Sequence, residues 1–160
     1  PSMEAQLANL ADEIAYNNHD IDDGLRSGLL TLDQLEAVPL VARHLARVRA
    51  EHPSLPARRL IHETIRRMIN TLVVDLLDET RRRIAQTGVA SIDDVRLAPV
   101  LVGFSPALRA EADALKHFLH HQLYRHYQVM RMTAKARRIV ADLFAAFMDE
   151  PRLLPPDHQA

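Results

Sequence analysis

Between Pro56 and Gln86 the apolar residues Leu60, Ile61, Ile65, Met68, Ile69, Leu72, Val73, Leu76, Leu77 and Ile84 recur at three- and four-residue spacing. That period belongs to a helix with one buried stripe, and Gly88 stands where a C-terminal cap belongs. The spacing predicts the longest helix of the chain and sets a helical frame for the rest. Composition agrees: strand formers are scarce beside Ala, Leu, Arg, Glu, Asp and Gln, and aromatics make up only 4%. With 160 residues, 48% of them apolar, an all-α multi-helix bundle forming one helical region over 1–160 is expected.

The other helices follow from their start and stop signals. Met3, Leu7, Leu10, Ile14 and Ile21 define a first helix over about 3–22, with Ser2 as its cap and Asp22-Asp23-Gly24 as its end. Thr31 and Gln34 form a capping box for a short helix over about 32–38. Pro39 suits a first helical position, and Val41, Leu45 and Val48 line one side up to the break at His52-Pro53. Ser91-Ile92-Asp93-Asp94 starts a short helical turn, whereas Val100-Leu101-Val102 between Pro99 and Gly103 mimics a strand. Ser105-Pro106 opens a helix through Leu123, and a last helix over roughly 132–148 precedes the prolines at 151, 155 and 156.

Several function classes are disfavoured. Twenty basic residues against twenty-one acidic ones give a net charge of -1, so no global field draws the chain to nucleic acid or to an anionic membrane. The chain contains no cysteine, hence no disulfide framework and no zinc-thiolate site, which suits a reducing cytoplasm. No apolar run approaches the roughly 20 residues needed to span a bilayer, and the start lacks the order of a signal peptide, so a cytoplasmic, non-membrane location is expected. Pro1-Ser2 runs directly into a periodic helix without an initiator Met, as if the chain were cut from a longer protein.

The first helix carries the most informative face. At about 100° per residue, Leu7, Leu10 and Ile14 cluster on one side, while Asp12, Tyr16, His19 and Asp20 fall nearly opposite. Acids, amides, an imidazole and a phenol within two turns can bind metal, water or a sugar hydroxyl. Periodicity alone favours a solvated face whose aspartates stabilise the helix start.

Other clusters carry less. His117, His120 and His121 have the i, i+3, i+4 spacing that can place two imidazoles on one metal, without a matching carboxylate. Arg81-Arg82-Arg83 and the set Arg125, Arg131, Lys135, Arg137 and Arg138 read as solvated helix faces. Asp75 and Asp78-Glu79 read as structural partners for Arg82 and Arg83.

The stretches Glu4-Ala5-Gln6 and Leu10-Ala11-Asp12-Glu13-Ile14-Ala15-Tyr16-Asn17-Asn18-His19-Asp20-Ile21-Asp22-Asp23-Gly24-Leu25-Arg26 resemble the deoxyguanosinetriphosphate triphosphohydrolase-like branch of the HD-domain hydrolases. Arg58 to Asp75 and Phe118 to Ala136, with Leu123-Tyr124-Arg125-His126 and Val129-Met130-Arg131-Met132, resemble the C-terminal half of those proteins. The resemblance implies that helix one completes an HD core and that about 32–150 forms a C-terminal helical region.

Members of that family cleave deoxynucleoside triphosphates to deoxynucleoside and triphosphate with a divalent metal, here Mg or Mn, held by a His, a His-Asp pair and a distant Asp. By motif, Asp12 matches that last Asp, and Tyr16 and Asp20 match positions lining the nucleotide pocket near the triphosphate and the 3′-hydroxyl. Arg58 and Arg59 are candidate phosphate contacts. The resemblance further implies an N-terminal half of the same protein that supplies the missing ligands, a homo-oligomer, and single-stranded DNA as a partner seen among relatives. No His and no His-Asp pair precede Asp12, so this stretch is expected to be inactive alone. His19-Asp20 does not replace them, because adjacent helical residues point about 100° apart. The competing reading is a non-catalytic helical oligomerisation or regulatory module. Helices that are apolar over broad arcs should leave apolar surface exposed and lead to dimers or aggregates.

Overall fold

A computed structural model describes residues 1–159. It is all-α, 79% helical, with no strand among the described residues. Seven α-helices follow one another: α1 (Met3–Arg26), α2 (Leu32–Leu35), α3 (Pro39–Glu51), α4 (Ala57–Thr87), α5 (Ile92–Leu97), α6 (Pro106–Leu119) and α7 (Tyr127–Asp149). The chain divides into two compact units, Pro1–Leu123 and Tyr124–Ala160.

Local signals place most helix ends. Ser2 caps α1 by accepting from the Ala5 amide at 3.3 Å. The Thr31–Gln34 box is closed in both directions, with Thr31 Oγ1 accepting from the Gln34 amide and Gln34 Oε1 accepting from the Thr31 amide. Pro39 and Pro106 occupy first helical positions. Gly88 ends α4 in the left-handed region at φ 65°.

Three ends differ from the expectation, the first being that of α2, which stops at Leu35 and not near 38. The first helix runs on to Arg26, because Gly24 sits inside it as a buried packing residue and not as a breaker. A Cβ on Gly24 would lie 2.5 Å from Leu30 Cδ1. The chain turns back over this glycine, with the Leu30 amide donating to Gly24 O at 2.9 Å. The last helix starts at Tyr127 and not near 132, since His126 Nδ1 accepts from the Gln128 amide at 3.4 Å and caps the earlier turn. Between α6 and α7, residues His120–Tyr124 adopt a π-helical turn.

In the first unit α3 packs on α4 and α6, and α1 packs on α4 and α6. Leu35, Leu40, Val41, Leu45, Val48, Met68, Leu101, Leu115 and Leu119 form the centre of the core. Val100-Leu101-Val102 is not a strand: the Leu101 and Val102 amides both donate to Gln6 Oε1, at 2.9 and 3.1 Å. A side chain of α1 thus satisfies buried amides that a ladder would otherwise have to satisfy.

In the second unit, none of the residues of α7 is buried, and Pro151–Leu153 and Pro156–His158 are single 3₁₀ turns. Among the described residues, no helix is long and apolar enough to cross a membrane.

Candidate functional site

The buried stripe of α1 runs through Gln6, Ile14, Asn17, Asn18, Ile21 and Gly24. It is more polar than the apolar spacing suggested, and two details of the predicted face change. Leu7 is 46% exposed, and the two asparagines counted with the polar face point inward. Asn18 is wholly buried and its amide donates to Ile14 O at 2.7 Å, which a buried apolar residue would not require.

The opposite side of α1 keeps the predicted set together. Asp12 and His19 are exposed, Tyr16 is 56% exposed and Asp20 is half-buried. Asp12, Tyr16 and Asp20 follow one another at i, i+4 and i+8, so their side chains line one stripe that is not spent on the core. The Asp12 carboxylate makes no hydrogen bond or ion pair with any described residue. Its neighbour Glu13, by contrast, is committed to structure. Its carboxylate accepts from Arg109 at 2.6 Å and lies 3.6 Å from Lys116, which ties α1 to α6.

Arg58 and Arg59 do not act as a pair. Arg58 lines an open hollow of about 360 Å³ with Asp22, Leu25, Arg26 and Ile61, at the C-terminal end of α1. Arg59 turns into another hollow, of about 420 Å³, with His52, Leu55, His62, Glu63 and Arg66. At 1.5 Å per residue, Asp22 stands roughly 15 Å along α1 from Asp12, so even Arg58 is several turns from the carboxylate.

A lone exposed carboxylate fits the role of a single ligand, since Asp12 is unspent and accessible. Among the described residues, no group of three or more His, Asp or Glu side chains is placed to hold a metal ion. That includes the histidine cluster, in which the His117 and His121 rings are 4.3 Å apart and the His120 and His121 rings 5.3 Å apart.

The arginine run and the acids of α4 are structural. Glu79 is buried and accepts from Arg82 and Arg83 at 2.7 to 2.8 Å, and hydrogen bonds from these two guanidinium groups pull its carboxyl down to about 2. Arg83 also donates to Phe104 O at 2.9 Å, while Asp75 accepts from the Ser105 amide at 2.8 Å. Together with Gln6 these side chains hold the 100–105 segment against α4 and α1. Sequence spacing announced the Glu79 pairs, but nothing in it announced the reach of Gln6 across 95 positions.

Comparison with known proteins places this helical assembly. Residues 102–160 match the family described as phosphohydrolase-associated domain. The chain is 61% identical over 160 residues to a deoxyguanosinetriphosphate triphosphohydrolase-like protein of Thiobacillus denitrificans, covering 100% of this chain and 43% of that protein. It is 65% identical to the protein of the same name from Ralstonia pickettii, over 100% of this chain and 41% of that one. With the one from Nitrosomonas europaea the identity is 58%, over 99% and 42% of the two lengths. Along its whole length the chain is similar to deoxyguanosinetriphosphate triphosphohydrolase-like proteins, of whose length it spans about two fifths.

Proposed function

We propose that this chain is the C-terminal part of a metal-dependent deoxynucleoside triphosphate triphosphohydrolase. The observation that carries the proposal is the conjunction of end-to-end identity to proteins so named with an α1 face on which Asp12 is exposed and unpaired. In the reaction water is consumed, the ester bond between the deoxyribose and the triphosphate breaks, and a deoxynucleoside and inorganic triphosphate leave.

In this reading Asp12 is one ligand of a divalent Mg or Mn ion, and the remaining ligands lie outside this chain. A bound divalent ion supplies Lewis-acid polarisation of a phosphoryl oxygen and a water of lowered pKa. This chain's own residues position the substrate. Asp20 accepts a hydrogen bond from the 3′-hydroxyl, Tyr16 lies along the sugar and triphosphate, and Arg58 meets phosphate. Arg59 faces away from Arg58 and is the weaker candidate. The chain alone is inactive, the intact protein works in the cytoplasm as a homo-oligomer, and single-stranded DNA is a further partner.

The test is an assay of the intact protein with each deoxynucleoside triphosphate and Mg²⁺ or Mn²⁺, following triphosphate release. Asp12→Ala should lower the rate by at least a hundredfold, while the unfolding temperature moves by no more than about 2 °C because the side chain is exposed. Unchanged release would sink the assignment. Failure of every nucleotide to stabilise the intact protein thermally would favour the non-catalytic helical module.

A further inference from the structure

We propose that Arg109 is a positioning residue for the α1 face: through Glu13 it fixes the turn from which Asp12 projects. The inference rests on the reading of Asp12 as a ligand of a divalent ion, and its test separates the two.

The turn needs such a tie. From Leu7 to Glu13 no residue of α1 is buried, whereas Gln6 before them and Ile14, Asn17, Asn18 and Ile21 after them are. Core packing thus holds α1 on either side of the Asp12 turn and not at it. The anchor within the turn is Glu13, whose side chain is only 19% exposed. Its Oε1 accepts from Arg109 Nη2 at 2.6 Å, and its Oε2 lies 3.6 Å from Lys116 Nζ. Successive helical residues point about 100° apart, so a Glu13 pinned to α6 leaves Asp12 aimed clear of that helix.

Arg109 is itself held. Its guanidinium carbon lies 5.4 Å from the centre of the Phe104 ring, a cation–π contact, and its Nη2 also donates to Asp113. Phe104 is buried, and its carbonyl oxygen accepts from Arg83, which Glu79 holds in turn. A row of paired groups therefore runs from α4 through the 100–105 segment and α6 to the residue beside Asp12. All of it lies within the first compact unit. A fully exposed ion pair would orient little, but Arg109 and Glu13 are 32% and 19% exposed, and a charged donor on a charged acceptor has a defined direction. Outer residues that orient a metal ligand are worth about 10- to 100-fold in metal affinity.

The test uses the intact protein. Mn²⁺ binding is read by the electron spin resonance of the free ion, independently of turnover, beside kcat and KM for triphosphate release. Asp12→Ala sets the scale. Arg109→Met keeps an aliphatic stem over Phe104 and removes the guanidinium; it should weaken Mn²⁺ binding about tenfold and lower kcat more than it raises KM. Glu13→Met should do the same, and the double variant should be no worse than either single one, because both act through one bond. Arg43→Met breaks the 2.8 Å pair of Arg43 with Glu111, which joins α6 to α3, and should leave Mn²⁺ binding within about twofold of the parent.

Parent-like Mn²⁺ binding in Arg109→Met, beside a loss in Asp12→Ala, would overturn the positioning role and leave the metal reading standing. Additive losses in the double variant, or an equal loss in Arg43→Met, would overturn it as well, since the effect would then be one of general stability. Parent-like binding in Asp12→Ala would overturn both readings.

Discussion

At the scale of single residues, the two faces of α1 are set by two acceptors that sequence alone does not distinguish. Asp12 is exposed and spends its charge on none of the described residues, so its replacement is expected to be felt in activity and not in folding. Gln6 is 8% exposed, and its Oε1 is the acceptor for two backbone amides of a buried loop, while its Nε2 donates to Pro1 O at 3.1 Å. Removing that acceptor leaves buried donors unpaired, which costs more than the bond contributes when made. Gln6→Ala should therefore cost about 2 kcal/mol in chemical denaturation. Gln6→Glu, which keeps an acceptor at the same reach, should recover part of it; equal loss in both variants would mean that the amides do not depend on this oxygen.

At the scale of elements, Gly24 shows where one physical term overrides another. A glycine inside a helix is worth replacing with alanine by propensity, a gain of about 1 kcal/mol. Here the added methyl would press on Leu30, itself 3% exposed, and overpacking of a filled core costs roughly 1–3 kcal/mol. Gly24→Ala should thus be neutral to destabilising, by up to about 2 kcal/mol, and a gain in stability would show that Leu30 has room to move.

The same residue explains what was legible in the sequence. Helix existence, the Ser2, Thr31, Ser91 and Ser105 caps and the Gly88 stop follow from contacts three or four residues apart, which a sequence displays. The end of α1 at Arg26 depends on Leu30 packing back over Gly24, and the start of α7 depends on an imidazole acting as a cap. The opposed faces of α1 were legible from its period, but the inward turn of Asn17 and Asn18 was not, because burial of an amide depends on partners elsewhere. The roughly 100° between adjacent helical residues sends Arg58 and Arg59 into different hollows, a separation their spacing already implies.

At the scale of the whole molecule, acid should weaken the fold in two stages. His44 is 7% exposed with its Nε2 unpartnered; burial, then the charges of Arg43, Arg47 and Arg67, lowers its pKa below 6.5. A histidine kept neutral in the fold contributes stability that is present above the unfolded value. That stability is lost as pH falls through the folded one, because the unfolded chain takes up the proton first. Stability should therefore begin to decline below about pH 6.5, with a slope of at most about 1.4 kcal/mol per pH unit from this one proton. Glu63 and Glu79, both drawn down to about 2 by guanidinium hydrogen bonds, add a second decline as pH drops below about 4.5. Urea unfolding from pH 8 to 5 on the parent and on His44→Leu checks the first stage: the parent should weaken and the variant should not. An identical slope in both would remove His44 from the account.

The anchoring of the 100–105 segment bears on what can be inherited or excised as a module. The phosphohydrolase-associated family match begins at residue 102, inside a stretch where Leu101, Val102 and Phe104 are buried and are held by Gln6, Asp75 and Arg83. A cut at that boundary would sever backbone amides from acceptors that lie far earlier in the chain, leaving α6 without the wall it leans on. The unit that evolution copies and the unit that folds are therefore offset here, and transplanting residues 102–160 into another helical scaffold would carry the family signature across without its hinge pins.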